Sequence, residues 1–305
     1  MNIATVVFDG NNLCKRCFHA NFKEGLSVKA DDGTEFFTGM IHSVFMSLIR
    51  YRRKFTDARF VLSWDKGHNY RKSIDPTYKQ SREEGTWEHY DIYHPQKQLL
   101  TKLFRLAGID QIWIDGEESD DVFKTYCKDL QGKTIVVTGD HDIYQIIDQK
   151  TFILLPKKNE DVILTPGKFK ELFGIEPDIY VDVMSLTGCS GDDVAGIYGI
   201  GEKKAIQIIN TIPNIVQIAI ENPSKARKLV EESNLTKGLK GKLLENDNIE
   251  RISHIRKLVE LHDFGNERIS MFPGKRDEKS LEDWFTRLQF STLLRDENWK
   301  VVTIL

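Results

Sequence analysis

The chain is short of the features that most quickly narrow a protein's class. Its 305 residues include only four cysteines and eight prolines, too few for a disulfide framework or a proline-rich linker protein. Cys14-Lys-Arg-Cys17 has a C-x-x-C spacing. No second Cys/His pair with ligand spacing accompanies it, which leaves a zinc or redox reading without its other half. Two free thiols on a helix in a reducing compartment account for the pair. No apolar run approaches the length needed to cross a bilayer. The first residues run straight into a β-branched stretch without a signal-peptide layout, so a cytoplasmic location is expected. There is no low-complexity segment and no internal repeat, which excludes solenoids and disordered tracts. The net charge of −3 favours neither acidic nor basic partners, although it can conceal clusters of opposite sign.

What is present is an alternation of apolar runs. Residues 3–8 (IATVVF), 58–65 (ARFVLSWD), 109–115 (IDQIWID) and 133–140 (KTIVVTGD) read as buried strands. Between them lie amphipathic helices. One spans about 37–54, with Ile41, Val44, Phe45, Leu48 and Ile49 on one face; another carries Leu99, Leu100, Leu103, Phe104 and Ala107. A third follows Asp115 and buries Val122, Phe123, Tyr126, Cys127 and Leu130. Strands alternating with helices imply an α/β protein with a mainly parallel sheet. A small strand pair is expected in 151–165, after which strands stop and the chain reads as helical to its end. The stretch 284–294 is apolar enough to pack back on a core.

Acids collect where the strands end. Asp9 follows the first and Asp65 the second. Glu117, Glu118, Asp120 and Asp121 follow the third; Asp140 and Asp142 follow the fourth. In an open α/β sheet the carboxyl ends lie side by side and form the ligand crevice, so these groups should meet. So many carboxylates cannot stay ionised together without a cation, and a divalent metal is the natural one. First-turn acids also complement helix dipoles, but four in five residues exceed that need.

Two further stretches are distinctive. Residues 66–84 are polar and basic, with Arg71, Lys72, Lys79 and Arg82 interleaved with Tyr70 and Tyr78. They read either as a solvated loop or as cations and rings set against a phosphodiester strand. In GCSGDDVAGIYGIGEKKA, 188–205, Gly196, Gly199 and Gly201 punctuate a turn between short helices, with Lys203 and Lys204 behind. Such a turn lets backbone N–H groups approach a phosphate.

With these pieces in order, the sequence resembles the flap endonuclease and 5′-3′ exonuclease family. It is most similar to the free-standing bacteriophage type and to the 5′-nuclease domain of bacterial DNA polymerase I. The resemblance runs over about 3–210 and rests on DGNNL at 9–13, WDKG at 64–67, YRKSIDPTYKQSRE at 70–83, GEESDD at 116–121, TGDHD at 138–142 and the glycine turn. It implies a PIN-like catalytic domain over 1–176 with a basic arch at about 66–90. A helical DNA-binding domain would follow over 177–305, with a helix–three-turn–helix at about 185–210. The resemblance also implies two-metal hydrolysis of phosphodiester bonds near 5′ ends of DNA in replication, repair or recombination. Two magnesium ions, replaceable by manganese, are expected, with potassium at the glycine turn. Asp65, Glu118, Asp120 and Asp140 would hold the first metal; Asp140, Asp142 and Asp192 would surround the second. Asp9 and Asp121 would bind metal directly or orient its water. Lys79 and Arg82 would act on the phosphate as catalytic cations. Arg71, Lys72, Tyr78 (stacked on a base), Gly196, Gly199, Gly201, Lys203 and Lys204 would bind DNA. Glu117 falls outside the motif.

In one respect the chain departs from the pattern: Cys189 stands where the family has an aspartate, and a thiol is a poor ligand for magnesium. Asp193, four positions on, is a candidate substitute for the missing charge. The expected partners are DNA with 5′ ends, flaps or branches, RNA–DNA hybrids, and replication proteins in trans. A monomer without membrane contact is expected, in the host cytoplasm if the source is a phage. Two other readings remain open: a branched-DNA binder that cleaves poorly because of Cys189, and a PIN-type ribonuclease. An aspartyl-phosphate phosphatase is disfavoured, because Asn11 occupies the position where its second carboxylate is needed.

Overall fold

In the computed structural model, residues 2–21, 26–29, 33–84, 87–158 and 160–305 are described. Positions 85 and 86 of the expected arch lie outside them. The central sheet is built of Thr5–Asp9 (β1), Arg59–Ser63 (β2), Asp110–Ile114 (β3), Thr134–Val137 (β4), Thr151–Leu155 (β5), Val162–Leu164 (β6) and Ile269–Phe272 (β7). Their spatial order is β7-β3-β2-β1-β4-β5-β6. The inner five strands are parallel; β6 and β7 close the two edges antiparallel. β1 lies at the centre, with Val7 paired to Val61 on one side and Val136 on the other.

Both faces of this sheet are covered, which is why its strands read as continuous apolar runs. Side chains alternate between two cores. Val6, Phe8, Phe60, Leu62, Ile135 and Val137 enter one, which the helices Gly39–Lys54 and Tyr90–Leu106 cover. Val7, Val61, Ile112, Ile114 and Val136 enter the other, and there the helix Ser119–Cys127 and the helical region after Pro177 pack. The second core runs without interruption from the sheet to Leu261.

Two expectations need correction. The expected alternation of strands with helices breaks after β4, where only a short 3-10 turn, Asp142–Ile146, precedes β5. The chain after 166 is also not wholly helical. β7 pairs Ile269 with Ile114 and Phe272 with Gln111, adding an edge to the sheet. From there the helices Glu278–Arg287 and Asp296–Val302 return to the first core, with Phe285, Leu288, Phe290 and Leu293 buried in it. This is the packing expected of 284–294. Arg52 is buried too, and donates to the carbonyls of Ala58 at 2.6 Å and Leu305 at 2.5 Å.

The returning segment thus belongs to the cooperative core. Phe285→Ala should lower unfolding free energy by about 3–5 kcal/mol. Urea denaturation should show a single transition at lower denaturant, not the loss of a separate C-terminal step.

Candidate metal centre and nucleic-acid interface

The carboxyl ends of β1, β2, β3 and β4 point the same way, and the acids beyond them converge. Asp9, Asp65, Glu118, Asp120 and Asp140 line one cavity of about 210 Å³, with Lys79 and Arg82 on its wall. Local structure holds each in place. Asp9 ends β1 and accepts from the Asn12 amide at 2.9 Å and the Thr138 hydroxyl at 3.1 Å. Asp65 accepts from the Ser119 amide at 2.8 Å, at the N-terminus of the helix carrying the acid cluster. Glu118, one residue before that helix, accepts from Tyr78 Oη at 2.9 Å and from Lys79 Nζ.

A second group adjoins the first. Ligand atoms of Asp142, Cys189 and Asp192 all lie within 4.8 Å of one another. Cys189 Sγ donates to Asp142 Oδ2 at 3.4 Å. The Asp142 amide donates to Asp140 Oδ1 at 3.0 Å, which joins the two groups. Asp192 accepts from Tyr78 Oη at 3.0 Å and pairs with Arg82 at 2.8 Å. Tyr78 therefore reaches one carboxylate of each group.

This crowding shows in the acidities. Burial, and then the Asp65 charge, push Asp9 up to about 7. Burial, then Asp140 and Asp192, push Asp142 up to about 7. Asp120 is raised well above its ordinary value by burial and by Asp140. Burial alone would make Lys79 less basic, but Glu118 and Asp192 outweigh it and hold the ammonium charged. The donor set suits divalent cations: the first group is all hard oxygen, whereas the second includes a sulfur.

Several residues stand elsewhere than expected. Asp121 is fully buried and away from the cavity. It accepts from both terminal nitrogens of Arg71, at 2.5 and 3.1 Å, and from the His262 amide at 2.8 Å. Adjacent helical residues point about 100° apart, so Asp120 and Asp121 cannot serve the same site. Arg71, expected on DNA, is only 2% exposed and also donates to the Leu258 and Glu260 carbonyls. Tyr78, expected to stack on a base, is 2% exposed. Lys72 is half-buried. Asp193 does not replace the missing aspartate: its carboxylate accepts the Ser81 amide and hydroxyl, both at 2.8 Å. Glu117 accepts from the Tyr70 amide, outside the acid cavity.

The glycine turn joins Tyr180–Thr187 to Glu202–Thr211. A Cβ on Gly196 would sit 2.1 Å from the Thr187 carbonyl, so the two backbones meet only because it is glycine. Gly199 takes φ +74°, while Gly201 has open space around it. Lys203 and Lys204 are exposed in the first turn beyond, and Lys204 Nζ donates to the Gly199 carbonyl at 2.8 Å. Sequence reasoning missed Tyr198, 91% exposed at the tip, and Lys242, whose Nζ donates to its carbonyl at 3.1 Å. It also missed Asn11, Asn12 and Lys15 on the acid cavity. Their place in the first two turns of the helix Gly10–Asn21, which follows Asp9 directly, was the available signal.

Residues 4–174 match the family described as 5′-3′ exonuclease, N-terminal resolvase-like domain. Among curated proteins, a 5′-3′ exonuclease of Streptomyces coelicolor is 29% identical over 225 residues, covering 69% of this chain and 74% of its own. A DNA polymerase I of Pseudomonas aeruginosa is 26% identical over 299 residues, covering 95% of this chain. The chain spans only 31% of that polymerase's length. Among solved structures, the T5 5′-exonuclease with bound divalent metal ions (zinc) superposes with a TM-score of 0.65 at 18% identity, covering 94% of this chain and 98% of its own.

Two neighbouring acids should respond oppositely to neutralisation. Asp120→Asn should raise the melting temperature of the metal-free protein and abolish its shift on adding divalent metal. Asp121→Asn should lower stability by about 3–5 kcal/mol, because it strands the buried Arg71 charge. Acidity gives a second test. In the folded chain Asp9 and Asp142 stay protonated up to about 7, whereas in the unfolded chain they ionise near their ordinary value of 3.8. Folding therefore takes up protons between those values, and metal-free stability should fall as pH rises from about 4 to about 7. Melting curves at several pH values in chelator check the sign, and saturating divalent metal should flatten the profile.

Proposed function

The chain belongs to the 5′-3′ exonuclease family, and from that premise we propose that it is a divalent-metal-dependent nuclease hydrolysing DNA phosphodiester bonds near 5′ ends, by exonuclease and flap-endonuclease action. The observation that carries this reading is the convergence of five carboxylates from four strand ends on one cavity walled by Lys79 and Arg82. Residues 1–176, with the arch at about 66–90, supply most of the catalytic part, and the region from 177 to about 268 the DNA-binding part. The expected boundary at 305 is corrected, because 269–305 return to the catalytic sheet and its first core.

Asp65, Glu118, Asp120 and Asp140 would hold one magnesium or manganese ion, and Asp140, Asp142 and Asp192 a second, beside Cys189. When bound, the ions supply positive charge that activates water and stabilises the leaving oxygen. The chain's own residues do the rest. Tyr78 donates toward Glu118 and Asp192 and fixes their carboxylates from beneath. Lys79 and Arg82, paired with those acids here, are placed to neutralise a phosphate entering the cavity. The amides of the glycine turn, with Lys203 and Lys204, face a duplex backbone. A potassium ion at the turn would use carbonyls other than those of Tyr198 and Gly199, which already accept from lysines. The partners proposed are 5′-ended, flapped or branched DNA and RNA–DNA hybrid, bound by a monomer acting alone or with replication proteins.

Cys189 favours a second reading: branched DNA bound tightly but cleaved slowly. The thiol supplies neither the hard oxygen nor the standing charge of a carboxylate.

On a labelled 5′ flap with magnesium, the parent should cut, and single-stranded RNA should remain intact. Asp140→Asn should lose activity by several orders of magnitude while binding in chelator stays within about twofold; equal cutting by the variant would sink the metal assignment. Cys189→Asp should lower the magnesium concentration for half-maximal cleavage. A parent that binds the flap but cuts only after this substitution would establish the second reading. Binding should weaken steeply with salt.

A further inference from the structure

Next to the acid cavity, and sharing Asp65 with it, lies a second cavity of about 250 Å³ with a different character. Its walls are the rings of Trp64, Trp113 and Phe272. Two cations stand over them: Lys97 Nζ is 5.0 Å from the Trp64 ring centre and Lys66 Nζ 5.3 Å from that of Trp113. The rings are held in place. Trp64 Nε1 donates to Gln111 Oε1 at 3.0 Å, and the ring packs on Gly10, where a Cβ would come within 2.7 Å of it. Arg105 stands 4.8 Å from the Phe272 ring, and that side chain is still 38% exposed. Lys97 also donates to Asn11 Oδ1, on the wall of the acid cavity, at 2.5 Å.

We propose that this cavity is a nucleobase subsite. It takes the base of the nucleotide next to the phosphate held at the acids, with Lys66 and Lys97 on the adjoining phosphate. The proposal rests on the nuclease reading for the phosphate at Asp65. The volume of about 250 Å³ lies just below the range of about 300–1,000 Å³ usual for whole-ligand pockets, which suits one flat heterocycle and not an elongated ligand. Fixed aromatic faces stack any base, and ammonium groups at the rim match a phosphodiester. The edge strand β7 supplies Phe272, so the returning C-terminal segment completes the subsite.

The test reads binding alone, in chelator, by fluorescence anisotropy of a labelled 5′-flapped duplex. Phe272→Ala should weaken binding roughly tenfold, and Phe272→Trp should retain it. Abasic nucleotides scanned across the junction should include one position that weakens the parent by a similar factor. At that position Phe272→Ala should show no further loss. Unchanged affinity in Phe272→Ala, or losses that multiply at every position, would overturn the subsite. Trp113→Leu, with melting temperature as a folding control, gives an independent reading and should also weaken binding. The assay holds no metal and reads binding alone, so failure of the parent to cut in the separate magnesium assay would count against the nuclease reading and leave the base subsite to be judged by binding.

Discussion

Mutual repulsion among carboxylates at the end of a parallel sheet is the constraint around which this molecule is arranged. The parallel strands β1, β2, β3 and β4 deliver their acids to one place, and burial removes the water that would screen them. Protons partly relieve the crowding at Asp9, Asp120 and Asp142. Cations do so at Glu118 and Asp192, where Lys79 and Arg82 lean in from the arch. A bound divalent metal would replace both kinds of compensation at once. The centre is therefore costly without its ligand, and that cost is what gives it affinity.

The arch is more firmly anchored than its composition suggests. Arg71 lies in the interior, between Asp121 on the catalytic side and the Leu258 and Glu260 carbonyls on the helical side. Its charge is buried with a bidentate partner and two further acceptors, so the pair is satisfied and fixes how the two regions meet. Tyr78 is buried under the acids, and its ring packs in the same core as Val122 and Leu186. Among the described residues of the arch, Lys66 and Arg82 are exposed, and Lys72 and Lys79 are partly covered.

Much of this was legible in the sequence. Four inner strands declared themselves because both their faces are buried, and the acids at their ends were placed by topology alone. The edge strand Ile269–Phe272 was not legible: it is four residues long, partly exposed, and carries no continuous apolar run. The fates of Arg71 and Tyr78 were hidden because they depend on distant residues: Leu258 and Glu260 lie 187 and 189 positions from Arg71, and Asp192 lies 114 from Tyr78. Asp120 and Asp121 looked equivalent in a motif, yet helical geometry sends one to the cavity and the other to the core. Cys189 was visible as a departure. Its contact with Asp142, and the engagement of Asp193 by Ser81, needed coordinates.

Three bonds tie the arch directly to the loop that precedes the glycine turn. The Lys79 amide donates to the Asp192 carbonyl at 3.0 Å, and Ser81 gives both its donors to Asp193. Lys79 and Asp193 both sit at positive φ, so each side of this junction is a sharply bent segment with little freedom of its own. The loop that leads into the glycine turn and the arch that carries Lys79 therefore share one backbone joint. Under the proposed function, a duplex bound at the turn and a strand bound at the arch would be coupled through this joint, each changing the other's affinity by the same factor. Recognition of a double-stranded part and seating of a single-stranded part would then be two readings of a single mechanical state.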